Sequence, residues 1–156
     1  MSELAQPGKL EDTFGMFETI QSTAGGFAVL TSAIATGAAW IACIASPNCS
    51  FDRLDYSRAD GHVRQLLKDA SGQIAIILLA ACALAAIAGA YGSATLSGLA
   101  AAGFVTNSWT LAPKKRSGAP PGVRQRKKSQ RIVAVSLSLM FTAVAGIASI
   151  LAVFGV

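Results

Sequence analysis

Hydrophobic and polar positions are segregated along this chain rather than interleaved. Asp, Glu, Lys, Arg and His are absent from residues 19–51, 70–113 and 132–156, and charge is packed into the stretches between them. A helix needs about 20 apolar residues to cross the hydrocarbon of a bilayer, at about 1.5 Å of rise each. The first and last blocks therefore predict one span each, over residues 25–45 and 132–154. A single helix over residues 70–113 would be roughly 65 Å long, about twice what a membrane can hide. This middle block predicts a hairpin, with spans at 73–92 and 97–112 and a turn at 93–96; one overlong helix, giving three spans in all, is the alternative. The blocks lack the polar face of a soluble amphipathic helix and the period-two alternation of barrel strands. The expected fold class is all-α, a polytopic transmembrane bundle of four spans.

The spans are rich in residues that let backbones approach closely. Ala33, Gly37 and Ile41 follow one another at four-residue spacing in the first span. Gly89, Ser93, Ser97 and Ala101 do so in the middle block, and Ser138, Thr142 and Gly146 in the last. Such stripes are the usual contact faces of membrane helices, so Gly37, Gly89, Ser93, Ser97, Thr142 and Gly146 are the expected packing positions. Thr31, Ser32 and Thr36 can return their hydroxyls to backbone carbonyls of the preceding turn. Trp40, Tyr91 and Trp109 mark membrane–water boundaries.

Between the blocks lie three polar stretches. Residues 1–22 place Leu10, Phe14, Phe17 and Ile20 on one helical face and Glu11, Asp12 and Glu18 off it, which predicts an amphipathic helix at the membrane surface or packed on the bundle. No basic n-region precedes the first apolar block, so no cleavable secretory signal is expected. Ser46-Pro47-Asn48 should end the first span. Residues 47–71 read as a polar loop, with a short amphipathic helix after Gly61 built on Val63, Leu66 and Leu67. Residues 113–131 carry Lys114, Lys115, Arg116, Arg124, Arg126, Lys127, Lys128 and Arg131, no acids, and Pro120-Pro121. Such a segment lacks the apolar surface to order itself and reads as a disordered basic loop. Four spans put it on the same side as Arg53, Arg58, Arg64 and Lys68. That fits the accumulation of basic residues on the cytoplasmic face better than three spans do. The basic loop orients the protein and suits anionic lipid head groups or a partner surface. Without interleaved aromatics to stack bases, it predicts no nucleic-acid partner.

Composition sharpens the functional expectation. The 156 residues are 53% hydrophobic and 13% charged, with a net charge of +5, against about 25% charged in an ordinary soluble domain. No ionisable residue falls within a span, where it would mark a proton relay, ion path or substrate site. Cys43, Cys49 and Cys82 form no CxxC pair, so no metal or cofactor is expected; Cys43 and Cys49 would bridge only in an oxidising compartment. His62 beside Asp60 has no nucleophile or metal partner and reads as a solvated loop histidine. GxSxG, HExxH and phosphate-loop patterns are missing, and no enzyme is expected. What remains is material for helix packing. The first expectation is a non-catalytic subunit or assembly factor of a larger membrane complex, contacting other membrane subunits in a hetero- or homo-oligomer. A self-assembling pore of the holin or channel kind is an alternative, with Ser and Thr lining water. A pilin-like subunit of a secretion system is another. The last third of the chain, a basic connection before an apolar C-terminal helix, resembles small conjugative pilins in architecture; its connection is longer and proline-rich, and no motif is shared.

Overall fold

The computed structural model describes residues 7–53, 56–111 and 123–156, and nearly all of them are helical. The elements are α1 (Pro7–Trp40), a π-helical segment (Ile41–Ala45), α2 (Ser46–Arg53), α3 (Tyr56–Ile87), α4 (Tyr91–Leu111) and α5 (Val123–Val153). Helices α1, α3, α4 and α5 form a ring, each packed on two neighbours in the order α1–α3–α4–α5, while α3 and α5 across the diagonal barely touch. The fold is an all-α four-helix bundle. Three stretches, Phe14–Ser50, Gly61–Ile87 and Val135–Val153, are long and apolar enough to cross a membrane. Helix α4 is less apolar, but its 21 residues span about 32 Å, close to the thickness of a bilayer's hydrocarbon.

The middle block is two helices, and its turn falls at residues 88–90 rather than at the predicted 93–96. Gly89 is the reason. Its φ of +82° is a left-handed conformation that glycine adopts without a Cβ clash. Around it Ala90 N–H donates to Ala85 O at 2.9 Å and Gly89 N–H to Ala86 O at 3.2 Å, the paired bonds of a Schellman stop. Ser93, expected at the turn in the hairpin reading, instead lies with Ser97 on the buried face of α4. The same device ends α5: Gly155 has φ +70°, with Val156 N–H on Leu151 O and Gly155 N–H on Ala152 O, both at 3.2 Å. That turn brings Val156 O to the start of α4, where it accepts Ser93 N–H at 2.9 Å. A helix N-terminus leaves such donors without partners of its own.

Two further boundaries differ from expectation. Pro47 does not stop the first span. Proline lacks an N–H and its ring strikes the carbonyl four residues back. The backbone answers by widening over Ile41–Ala45, with Ser46 N–H reaching Ile41 O, and helix resumes as α2. The polar stretch 47–71 is also largely helix rather than loop. Ala59, Val63, Leu67, Ser71, Ala75 and Leu78 make one buried stripe along α3, so the packing pattern runs outward past Gly61 without a break. Of the basic loop 113–131, residues 113–122 lie outside the described residues, while from Val123 onward the backbone is the start of α5; that half is helix rather than disordered. The predicted surface helix 1–22 is, over its described part, the unbroken N-terminal portion of α1.

The bundle is apolar inside and more bulkily apolar outside. Buried side chains are dominated by alanine, with Phe104, Leu67, Leu78 and Val63 the largest completely buried apolar ones, whereas Phe27, Leu30, Ile34, Ile76, Leu79, Leu99, Ile147 and Ile150 all point outward. A water-soluble bundle would place these bulky groups inside. In lipid no hydrophobic force separates the two faces, and small residues win the interior because they let helix backbones close up.

Candidate functional site

One level of the bundle gathers polar side chains from α3, α4 and α5. Counting from the end that carries Trp40 and Trp109, an apolar layer comes first: Val63, Leu67 and Leu111, with Cys43 at its edge. One turn further in, Asn107 on α4, Ser71 on α3 and Ser138 and Thr142 on α5 are all buried, with Asn107 and Ser138 completely so. Below them the apolar core resumes with Ile74, Leu78 and Phe104. The buried stripes of α3, α4 and α5 put Ser71, Asn107 and the Ser138–Thr142 pair at this height.

The hydrogen bonds tie three helices together. Asn107 Nδ2 donates to Ser138 Oγ at 2.7 Å and to Ser71 Oγ at 3.4 Å. Thr142 Oγ1 donates to Ser138 O at 2.8 Å. The Cys43 thiol, on the π-helical segment, has the Ser138 and Thr142 hydroxyls in hydrogen-bonding reach, which brings in α1. Asn107 Oδ1 has no partner. π-Helical insertions recur at functional sites, and here the insertion forced by Pro47 carries the α1 member of the cluster. Cys43, Cys49 and Cys82 are free thiols. Among the described residues no three His, Cys, Asp or Glu side chains come together as a metal site would need.

The residues singled out from sequence are dispersed. Ser93 Oγ donates to Ala148 O of α5 at 2.9 Å. Ser97 is buried and its Oγ is unpaired. Thr142 belongs to the polar cluster. Gly146 faces Thr36, whose Cγ2 would lie 3.8 Å from a Cβ there, and Thr36 Oγ1 is 3.4 Å from Ser149 Oγ across the same α1–α5 contact. Gly89 makes the hairpin turn. Gly37 lies on the outer face of α1 with nothing near it. Arg124, Arg126, Lys127, Lys128 and Arg131 fall on the first turns of α5, and Lys114, Lys115 and Arg116 lie outside the described residues. Asn107, the centre of the cluster, is not among the positions drawn from the sequence. Its signal is present: it is the single carboxamide inside α4, in an otherwise apolar and small-residue helix, where an unpaired amide is costly.

The lengths and composition of these helices are those of a multi-pass membrane protein. No known protein family matches the chain, and neither does any curated protein or any solved structure.

Proposed function

We propose that this chain is a non-catalytic integral membrane subunit or assembly factor of a larger complex, and that it meets its partner through the outer face of α1. The observation carrying this reading is where the small residues go. Ser93, Ser97, Ala101, Thr142 and Ala145 are spent inside the chain's own bundle. On α1, by contrast, Gly26 and Gly37 have open space at their Cβ positions, and Ala33 between them is exposed. Small residues on an outer helix face admit another helix at close range. Beyond the bundle end formed by the 88–90 turn, the same helix shows Phe14, Met16, Phe17 and Ile20, all exposed, extending the surface on offer.

The start of α5, which carries Arg124, Arg126, Lys127, Lys128 and Arg131, and the part of α3 with Arg58, Arg64 and Lys68 lie at the other end; in this reading these cations face the cytoplasm and meet anionic head groups, at about 1 kcal/mol for each cation near such a surface. Native extraction in mild detergent tests the reading. A larger protein should co-purify at fixed stoichiometry, and Ala33→Leu with Gly37→Leu should release it while leaving the isolated chain's unfolding midpoint unchanged. A wild-type chain that leaves its native membrane alone, and a variant that behaves identically, would remove the basis for it.

A further inference from the structure

We infer that the polar layer of the bundle is a binding site for one internal water molecule, held between the Asn107 carboxamide and the Ser71 hydroxyl. The Asn107 side chain is completely buried; its NH2 group is bonded to Ser138 and Ser71, and its carbonyl oxygen has no partner. Turning the amide over would let the two hydroxyls donate to Oδ1, but would strand the NH2 group instead. In the first orientation the site is one donor short; in the second the two N–H groups of the amide have no acceptor. The missing group is a donor in the first and an acceptor in the second. Water is the small molecule that serves as either. A cation could serve only the first orientation, and among the described residues no carboxylate is buried to balance its charge.

Ser71 supplies the second contact. Among the described residues its hydroxyl meets only Asn107, at 3.4 Å, the outer limit of a hydrogen bond. It therefore keeps hydrogen-bonding capacity for the same water, and buried waters are typically held by two to four such partners. The route from solvent is short. The layer sits one turn, about 5 Å, inside Leu67 and Leu111 at the bundle end that bears Trp40 and Trp109. The Ser97 hydroxyl is also buried without a partner, but it lies ten residues, about 15 Å, along α4 from Asn107 and outside this layer.

The chain contains two asparagines, Asn48 and Asn107, which gives the test an internal reference. The full-length protein is deuterated, labelled with ¹⁵N at asparagine, and placed in detergent micelles or nanodiscs. The Asn107 NH2 protons should then show cross-peaks to the water resonance with opposite signs in laboratory-frame and rotating-frame spectra, the mark of direct contact with a long-lived water. Asn48, exposed near the end of the bundle, should show none of that kind. The Asn107 cross-peak should survive in Ser138→Ala, which removes relay through the neighbouring hydroxyl, and its position should not change when sodium and potassium are replaced by choline. Absence of the cross-peak, equal signs in both spectra, loss in Ser138→Ala, or dependence on alkali cation would each overturn the inference.

Discussion

Gly103 is the tightest point between α4 and α5. A Cβ built there overlaps the ring of Phe141 at three of its atoms. That ring is backed by Phe104, with centroids 6.3 Å apart and planes tilted by 52°, and Phe104 is itself buried. Phe141 is half-buried, so making room for a methyl means moving its ring off Phe104. Replacing an interior helical glycine by alanine gains about 1 kcal/mol of helix propensity, and forcing an extra methyl into a packed core loses about 1–3 kcal/mol. Gly103→Ala should thus lie about 1–3 kcal/mol below Gly26→Ala, whose Cβ meets nothing within 4 Å and which should be neutral or stabilising. Reversible unfolding by SDS in mixed micelles, followed by helical circular dichroism, measures both. Adding Phe141→Leu to Gly103→Ala should recover stability, with a coupling of about 0.5–3 kcal/mol as expected for touching residues. Equal stability of Gly103→Ala and Gly26→Ala would refute the packing described for this contact, and so would a double variant that is merely additive.

Three other outcomes are expected. Gly89→Ala meets no steric obstacle, since nothing lies near its Cβ; its cost is the left-handed backbone alone, about 1–2 kcal/mol, and Gly89→Asn should lose less in the same SDS titration. Ser93→Ala removes the bond to Ala148 O and should lower stability by about 0.6 kcal/mol, and by no more than about 1.7; no change would mean that the bond is replaced or absent in lipid. In sealed vesicles, maleimide should label exposed Cys49 and spare buried Cys43. Cys49 should also react from the same side as a cysteine placed at Ser117, and reaction from opposite sides would break the even number of crossings between them.

The helical class and the hairpin were legible because charge-free length is a direct reading of bilayer thickness, and residues 70–113 are too long for one crossing. The turn itself was misplaced by a few residues. Tyr91 and Ser93 lie just past Gly89 and mimic a boundary there, although glycine at a helix end is the better stop signal. The continuation through Pro47 was illegible for a different reason. Proline ordinarily ends a helix, and the π-helical detour that rescues this one depends on α1 and α2 being held in line by their packing on α3. Small-residue stripes told which residues pack but not on what. Thr142 and Gly146 face into the bundle and Gly37 faces out of it, and four-residue spacing cannot distinguish a helix's own neighbours from a visitor. Asn107 carries no charge and leaves no mark in a map of ionisable groups, although it is the one carboxamide inside α4.

The distribution of side-chain size bears on which alternative role this architecture could support. A water-filled channel along the bundle axis would need the axis lined by hydroxyls at successive levels. Here the hydroxyl layer at Ser71, Asn107 and Ser138 is closed on one side by Val63, Leu67 and Leu111 and on the other by Ile74, Leu78 and Phe104. A pore made by this chain would therefore have to run between copies, not through one. Its lining would come from outer faces such as α4's, where Thr95, Thr106 and Thr110 are exposed beside Leu99 and Trp109. Thr95 and Thr106 already return their hydroxyls to carbonyls three or four residues back in their own helix, and Thr110 does the same. That arrangement lets a threonine face lipid without an unpaired proton. It leaves those faces little demand for water, and it favours a bundle that sits in the bilayer or against another apolar helix.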